Sequence, residues 1–181
     1  MGEFNELGDV MAVRTQSCAC GQVRFEAVDE PILAAVCYCD DCQAGGRLIE
    51  ALDGAKPVLD ADGGADYLTY RDDRYRCVQG AELLVGYALK PKSPTKRFVA
   101  GCCNTAMYLK YKRGHWTSTF RSAFESADLP AVEMRTNVRF RASDDAFVDD
   151  AFVDDAPRYQ RFPLALFGKL IKAQVAMVFG R

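Results

Sequence analysis

The sequence predicts a mainly β fold: packed antiparallel sheets, a β-sandwich, linked by zinc and followed by a C-terminal helix. Three observations predict it. Short apolar–polar alternations recur between turn residues through the middle of the chain. Seven of the eight cysteines fall into three tight clusters. An apolar stretch at helical spacing closes the chain. With 181 residues, 49% of them hydrophobic, the chain can bury one sizeable core.

Residues 1–16 carry little periodicity and read as a loose, polar, acidic leader with no basic-then-apolar signal pattern. From residue 17 to about 111 the text is β-like. Val23 and Phe25 alternate with Arg24 and Glu26, and an apolar run over 31–36 feeds into a cysteine cluster. Residues 67–70, 83–89, 97–101 and 106–111 are further strand candidates between Gly, Pro, Asp and Lys turns. Residues 40–46 suit a short turn or helix, and 129–140 read as another strand. The zinc-binding β domain is therefore expected over 17–142. Residues 143–181 hold an acidic tandem repeat, DDAFV twice and then DDA, read as a solvated loop. After it Leu164, Phe167, Ile171 and Val175 mark an amphipathic helix. That helix is expected to pack on the β core or on a second copy in a homodimer.

The net charge of −2 offers no overall basic field, so nucleic acid is not an expected partner. No apolar run approaches the ~20 residues of a membrane helix, so no membrane partner is expected. The expected compartment is the cytoplasm, where thiols stay reduced. There, eight cysteines point to metal or catalysis rather than to disulfides.

Closely spaced thiolates grip soft or borderline metals, zinc foremost, and two zinc sites are expected. Cys37, Cys39 and Cys42 form C-x-C-x-x-C, three ligands from one turn. Such a set either leaves a vacancy for a substrate thiolate or water, or is closed by a fourth ligand from elsewhere. Cys18 and Cys20 supply only two ligands and need distant partners, of which Cys102 and Cys103 are the obvious source. Adjacent strand residues point to opposite faces, so both can join one metal only if the backbone turns sharply. Otherwise Cys77 or a water completes the site. The bland reading of Cys77 is a small buried hydrophobe. His115, the lone histidine, stands beside Trp116 and reads as a packing residue.

Three segments in order carry a resemblance: CACGQVRF at 18–25, CYCDDCQ at 37–43 and RFVAGCCNTAMY at 97–108. They resemble the glutathione-dependent formaldehyde-activating enzyme family, which includes centromere protein V, over residues 17–112. The resemblance implies a β fold with a structural zinc on Cys18, Cys20 and Cys103. It implies a second, catalytic-type zinc on Cys37, Cys39 and Cys42, where glutathione and formaldehyde would meet. The late motif departs from the family's F-C-x-x-C-G-T. Ala100 stands at the first cysteine position, Asn104 replaces the glycine, and Cys102 is the candidate fourth ligand.

The activity expected from this is a carbon–sulfur lyase acting on a small thiol adduct. The alternative is a zinc-stabilised binding module without catalysis. Tyr38, Asp40 and Asp41, beside the ligands, are candidates for proton transfer or orientation, against a bland reading as turn residues.

Overall fold

The computed structural model of the protein describes residues 12–142 and 156–180. The acidic repeat, up to residue 155, and the first eleven residues lie outside them. In chain order the strands are β1 (Val13–Ser17), β2 (Arg24–Val28), β3 (Leu33–Cys37), β4 (Ala65–Arg71), β5 (Tyr75–Gln79), β6 (Leu84–Tyr87), β7 (Thr95–Ala100), β8 (Thr105–Tyr111), β9 (Trp116–Phe120), β10 (Met134–Thr136) and β11 (Arg158–Tyr159). The helices are α1 (Asp40–Glu50) and α2 (Leu164–Val178). The fold is mainly β, with the second helix at its C-terminal end.

Two sheets form. The smaller has the order β1-β2-β5, the larger β11-β10-β3-β4-β9-β8-β7-β6. Pairing is antiparallel except at one edge, where β10 lies parallel to β3 and β11 parallel to β10. The large sheet is therefore mixed rather than purely antiparallel.

The period-two alternation divides the core. Ala34, Leu68 and Tyr70 face the small sheet and pack with Val23, Phe25, Ala27 and Tyr75. Phe25 and Tyr75 stack with ring centroids 4.6 Å apart. The opposite face of the large sheet carries Cys37, Ala65, Tyr67 and Phe120, covered by Ile49 of α1. Farther along it, Leu33, Ala35 and Met134 are met by Leu166 of α2. With both faces covered, every residue of β3 is buried. Small alanines suit such a crowded central strand.

The loose leader expected to residue 16 is corrected at its end. Val13 to Ser17 pair residue by residue with β2. Gln16 is fully buried there. Its side-chain nitrogen donates to the carbonyls of Met107 (2.9 Å) and Phe120 (3.0 Å) of the large sheet. Its oxygen accepts from the Tyr75 hydroxyl of the small sheet. One amide thus bolts the two sheets together.

Of the strand expected over 129–140, only Met134–Thr136 pairs. Asn137, at φ 59°, takes the left-handed conformation that asparagine tolerates and ends it. β5 and β9 carry weak sequence signals. In β9, Thr117 and Thr119 occupy buried positions, and the Thr119 hydroxyl donates to the Leu68 carbonyl at 2.7 Å.

α1 extends the turn expected over 40–46 to an eleven-residue helix that contains Gly45 and Gly46. Glycine costs a helix interior about 1 kcal/mol relative to alanine. Close approach explains both: a Cβ on Gly45 would collide with the Arg97 guanidinium, and one on Gly46 with the Leu59 side chain.

α2 buries Ala173 and leaves Leu164, Phe167, Ile171, Val175 and Val178 exposed, so the stripe expected to be its packed face is corrected: Leu166 and Leu170, one register over, meet the sheet. It is held at its middle, where His115 Nε2 lies 2.8 Å from the Leu170 carbonyl oxygen. The same ring packs edge-on against Trp116. His115 is thus a packing and anchoring residue. No helix among the described residues is long and apolar enough to cross a membrane.

Gln16→Leu should destabilise the fold by about 2–4 kcal/mol, because it strands two buried carbonyls and a buried phenol. A urea titration checks this. A change below about 0.5 kcal/mol would show that the amide does not join the sheets.

Candidate metal centres

The chain builds two cysteine clusters from local turns. All eight cysteines are free thiols. Among the described residues, the sulfurs of Cys18, Cys20, Cys102 and Cys103 lie within 4.8 Å of one another, as do those of Cys37, Cys39 and Cys42.

The first cluster joins two hairpin tips. After β1 the chain turns at Cys18, where the Gly21 amide donates to the Cys18 carbonyl at 2.9 Å and the Val23 amide to the Cys18 sulfur at 3.2 Å. Gly21 sits at φ 74°, which only glycine adopts freely. Between β7 and β8, the amides of Cys103 and Asn104 both donate to the Ala100 carbonyl, at 3.1 and 2.7 Å. This is the sharp turn that lets adjacent cysteines serve one site. Asn104 takes φ 54°, so asparagine stands where the resembled motif has glycine for the same backbone reason. The Ala19 amide donates to Thr105 Oγ1 at 3.0 Å and ties the two tips together.

Sulfur separations test whether a metal fits. Tetrahedral zinc–thiolate bonds of about 2.3 Å require sulfurs about 3.8 Å apart. The observed separations are 3.5 Å for Cys18–Cys20, 3.8 Å for Cys18–Cys102, 3.2 Å for Cys20–Cys102 and 3.9 Å for Cys102–Cys103. Four thiols at these distances fit a closed four-sulfur site. Burial alone would raise Cys103, but hydrogen bonds from the Thr105 hydroxyl and from the Cys20 and Thr105 amides bring it down to about 6. Cys102 is pushed up, first by desolvation and then by its sulfur neighbours. Cys77 stays outside the cluster. It packs at the edge of the inter-sheet core, its thiol 3.2 Å from the Gln79 carbonyl.

The second cluster forms where β3 runs into α1. Cys37 ends the strand, Cys39 is the N-cap and Cys42 lies in the first helical turn. The amides of Cys42 and Gln43 donate to the Cys39 carbonyl at 2.9 and 3.0 Å. A helix N-terminus favours negative charge, and thiolates with it. The Cys37 thiol is lowered to about 3, chiefly by hydrogen bonds from Cys39 and then Cys42. Cys39 and Cys42 are raised, first by their contact with Cys37. Within the trio, Cys37 is thus the thiol that most favours the thiolate form. Asn137 Nδ2 also points to this sulfur, at 3.8 Å.

Supporting groups hold the turn. Gln43 is buried and donates to the carbonyls of Tyr38 (2.7 Å) and Phe140 (2.5 Å). Tyr38 is fully buried, donates to Asp60 at 2.9 Å and accepts from Arg135 at 2.9 Å. Burial and the Asp60 carboxylate keep its phenol protonated. Asp40 and Asp41 are exposed at the helix start. Neither cluster gains a further cysteine, histidine or carboxylate ligand among the described residues.

A cavity of about 390 Å³ lies between the large sheet and α2, and Cys37 and Cys42 are in its wall. No local motif signals it, because its lining comes from β3, β4, β8, β9 and α2 together. Of the two tyrosines in its wall, Tyr67 is kept protonated chiefly by burial.

If both clusters hold metal, Cys18→Ser and Cys102→Ser should each remove one of two bound ions, and Cys39→Ser the other. Elemental mass spectrometry of the purified variants measures this. Retention of both ions by Cys102→Ser would mean that Cys102 is not a ligand.

No curated protein matches the chain. A crystal structure of a Rhodobacter sphaeroides protein aligns with a TM-score of 0.44 and 17% identity, over 80% of this chain and 98% of that one. A family model, described as a family of unknown function (DUF6151), matches residues 10–139, and with them both cysteine clusters. That family, and not the formaldehyde-activating enzymes, is the one the match supports: the chain belongs to DUF6151.

Proposed function

We propose that the protein is a zinc enzyme of the carbon–sulfur lyase type, which makes or breaks the bond between a small thiol and an aldehyde carbon. The single observation that carries this is the contrast between the clusters. Four thiols close on themselves at the hairpin tips, whereas the three-thiol cluster puts two of its members, Cys37 and Cys42, in the wall of a cavity of substrate size. The first cluster is then a structural site and the second a reactive one. The motif resemblance at residues 37–43 supports the same assignment.

Zinc at the second cluster would lower the pKa of a bound thiol and polarise a carbonyl oxygen. In the adduct-forming direction a sulfur–carbon bond forms, and the proton of the thiol ends on the former carbonyl oxygen. No oxidant or reductant is needed. Cys37, Cys39 and Cys42 hold the ion, and the α1 N-terminus steadies their charge. Tyr67 stays protonated, so it donates rather than competes as an anion. The apolar wall keeps water from the adduct and so favours retention of the new bond.

The test is exchange NMR of the hemithioacetal formed by 2-mercaptoethanol and formaldehyde, a thiol small enough to enter any version of the site. The zinc-loaded protein should accelerate exchange by at least about 100-fold, as expected when a metal lowers the barrier by several kcal/mol. Cys39→Ser should abolish the acceleration. No acceleration with both metal sites filled would overturn the enzyme reading.

A further inference from the structure

The cavity at the second cluster carries information about what enters it. None of the residues lining it is Asp, Glu, Lys, Arg or His. Leu33, Leu109, Trp116, Leu166, Phe167 and Leu170 form most of its wall. Three of its five hydroxyls are engaged within the wall: Thr69 and Ser118 bond each other at 3.1 Å and Thr136 points to the Val36 carbonyl, which leaves the phenols of Tyr67 and Tyr111. Lys169 on the roofing helix turns outward to an ion pair with Glu133.

We propose that the thiol taken by this site is uncharged and has an apolar alkyl or aryl body, and that glutathione is not its preferred partner. The proposal rests on the three-thiol centre being the reactive one. Glutathione brings two carboxylates, an ammonium and two amides. Inside this wall they would meet no counter-charge and few hydrogen-bond partners, and burying unpaired charge is costly. An apolar body instead exchanges water for leucine and aromatic surface. A volume of about 390 Å³ accommodates a molecule of roughly benzyl or short alkyl size with its sulfur toward Cys37 and Cys42.

The chain supplies its own reporter. Its single tryptophan, Trp116, lines the cavity, so a ligand seated there alters intrinsic fluorescence. The experiment titrates zinc-loaded full chain with benzyl mercaptan, benzyl alcohol and glutathione. Benzyl mercaptan should bind at least about tenfold more tightly than glutathione. Benzyl alcohol, which has the body without the sulfur, should bind more weakly than the mercaptan. Leu166→Arg places a cation in the wall and should erase the preference for benzyl mercaptan. Ala substitution of the exposed Ile171 on the same helix should not. Zinc content measured on each variant separates a lost cavity from a lost metal.

Glutathione binding as tightly as benzyl mercaptan, or an unchanged preference in zinc-replete Leu166→Arg, would overturn the proposal. So would the absence of any Trp116 response to benzyl mercaptan. These failures are distinct from failure of the lyase reading, which the 2-mercaptoethanol exchange rate decides without reference to the cavity wall.

Discussion

Two sheets of unequal size must stay in register across one apolar interface, and the small one has only three short strands. A sheet that small buries too little surface to hold its place alone. Its attachment is chemical at two points. Gln16 crosses the interface with an amide that satisfies two carbonyls of the large sheet and a phenol of the small one. The cysteine tips at 18–20 and 102–103 meet at the end of the same interface. A four-thiolate metal there would close a loop of more than eighty residues and constrain the unfolded chain strongly. The placement of every strand that lines the cavity follows from that interface, because β3 and β4 present one face to it and the other to Cys37 and Tyr67.

Charge governs the second cluster in a different way. Three thiolates and one divalent ion sum to about −1, a charge that a largely apolar surrounding does not solvate. The fold provides two compensations. One is the N-terminus of α1, which starts at the ligands themselves. The other is Arg97, which is 2% exposed and lies against Gly45. It donates to the Asp41 carbonyl and, among the described residues, forms no ion pair with a carboxylate. Gly45 is one helical turn from Cys42, so the buried guanidinium and the ligand share a helix face. The two glycines that weaken α1 as a helix are thus what lets the cation approach. A buried arginine without an acid is costly by itself, and it becomes intelligible beside three thiols that would carry net negative charge if they held a divalent ion.

The clusters were legible because cysteine spacing is a local code: Cys18 and Cys20 lie within three residues, Cys102 and Cys103 are adjacent, and Cys37, Cys39 and Cys42 fall within six. The sharp turn that brings Cys102 and Cys103 together could be posed as a requirement from strand geometry, and Ala100, Cys103 and Asn104 meet it. Strands with clean alternation, such as those around Phe25 and Leu68, were also legible. Less so were strands whose buried positions are polar. Gln16, Thr117 and Thr119 are core residues only because partners far away in sequence satisfy them, and no window of sequence records those partners. The parallel edge of β10 and β11 and the cavity are likewise products of long-range assembly.

The difference between the two sites lies less in their ligands than in what faces them. Both use thiols set on tight turns. At the hairpin tips the sulfurs face one another, Cys20 and Cys102 are exposed, and the amides around Cys18 and Cys103 complete the shell. At the β3–α1 junction Cys37 and Cys42 face a partly open space walled by aromatic and leucine side chains. Low polarity would strengthen electrostatic interaction with an ion held there. It also sets selectivity, because every charged group on an entering molecule must be desolvated without return. α2 is therefore part of the site and not an appendage: Phe167 and Leu170 roof the space, and His115 fixes the helix over it from the β8–β9 turn.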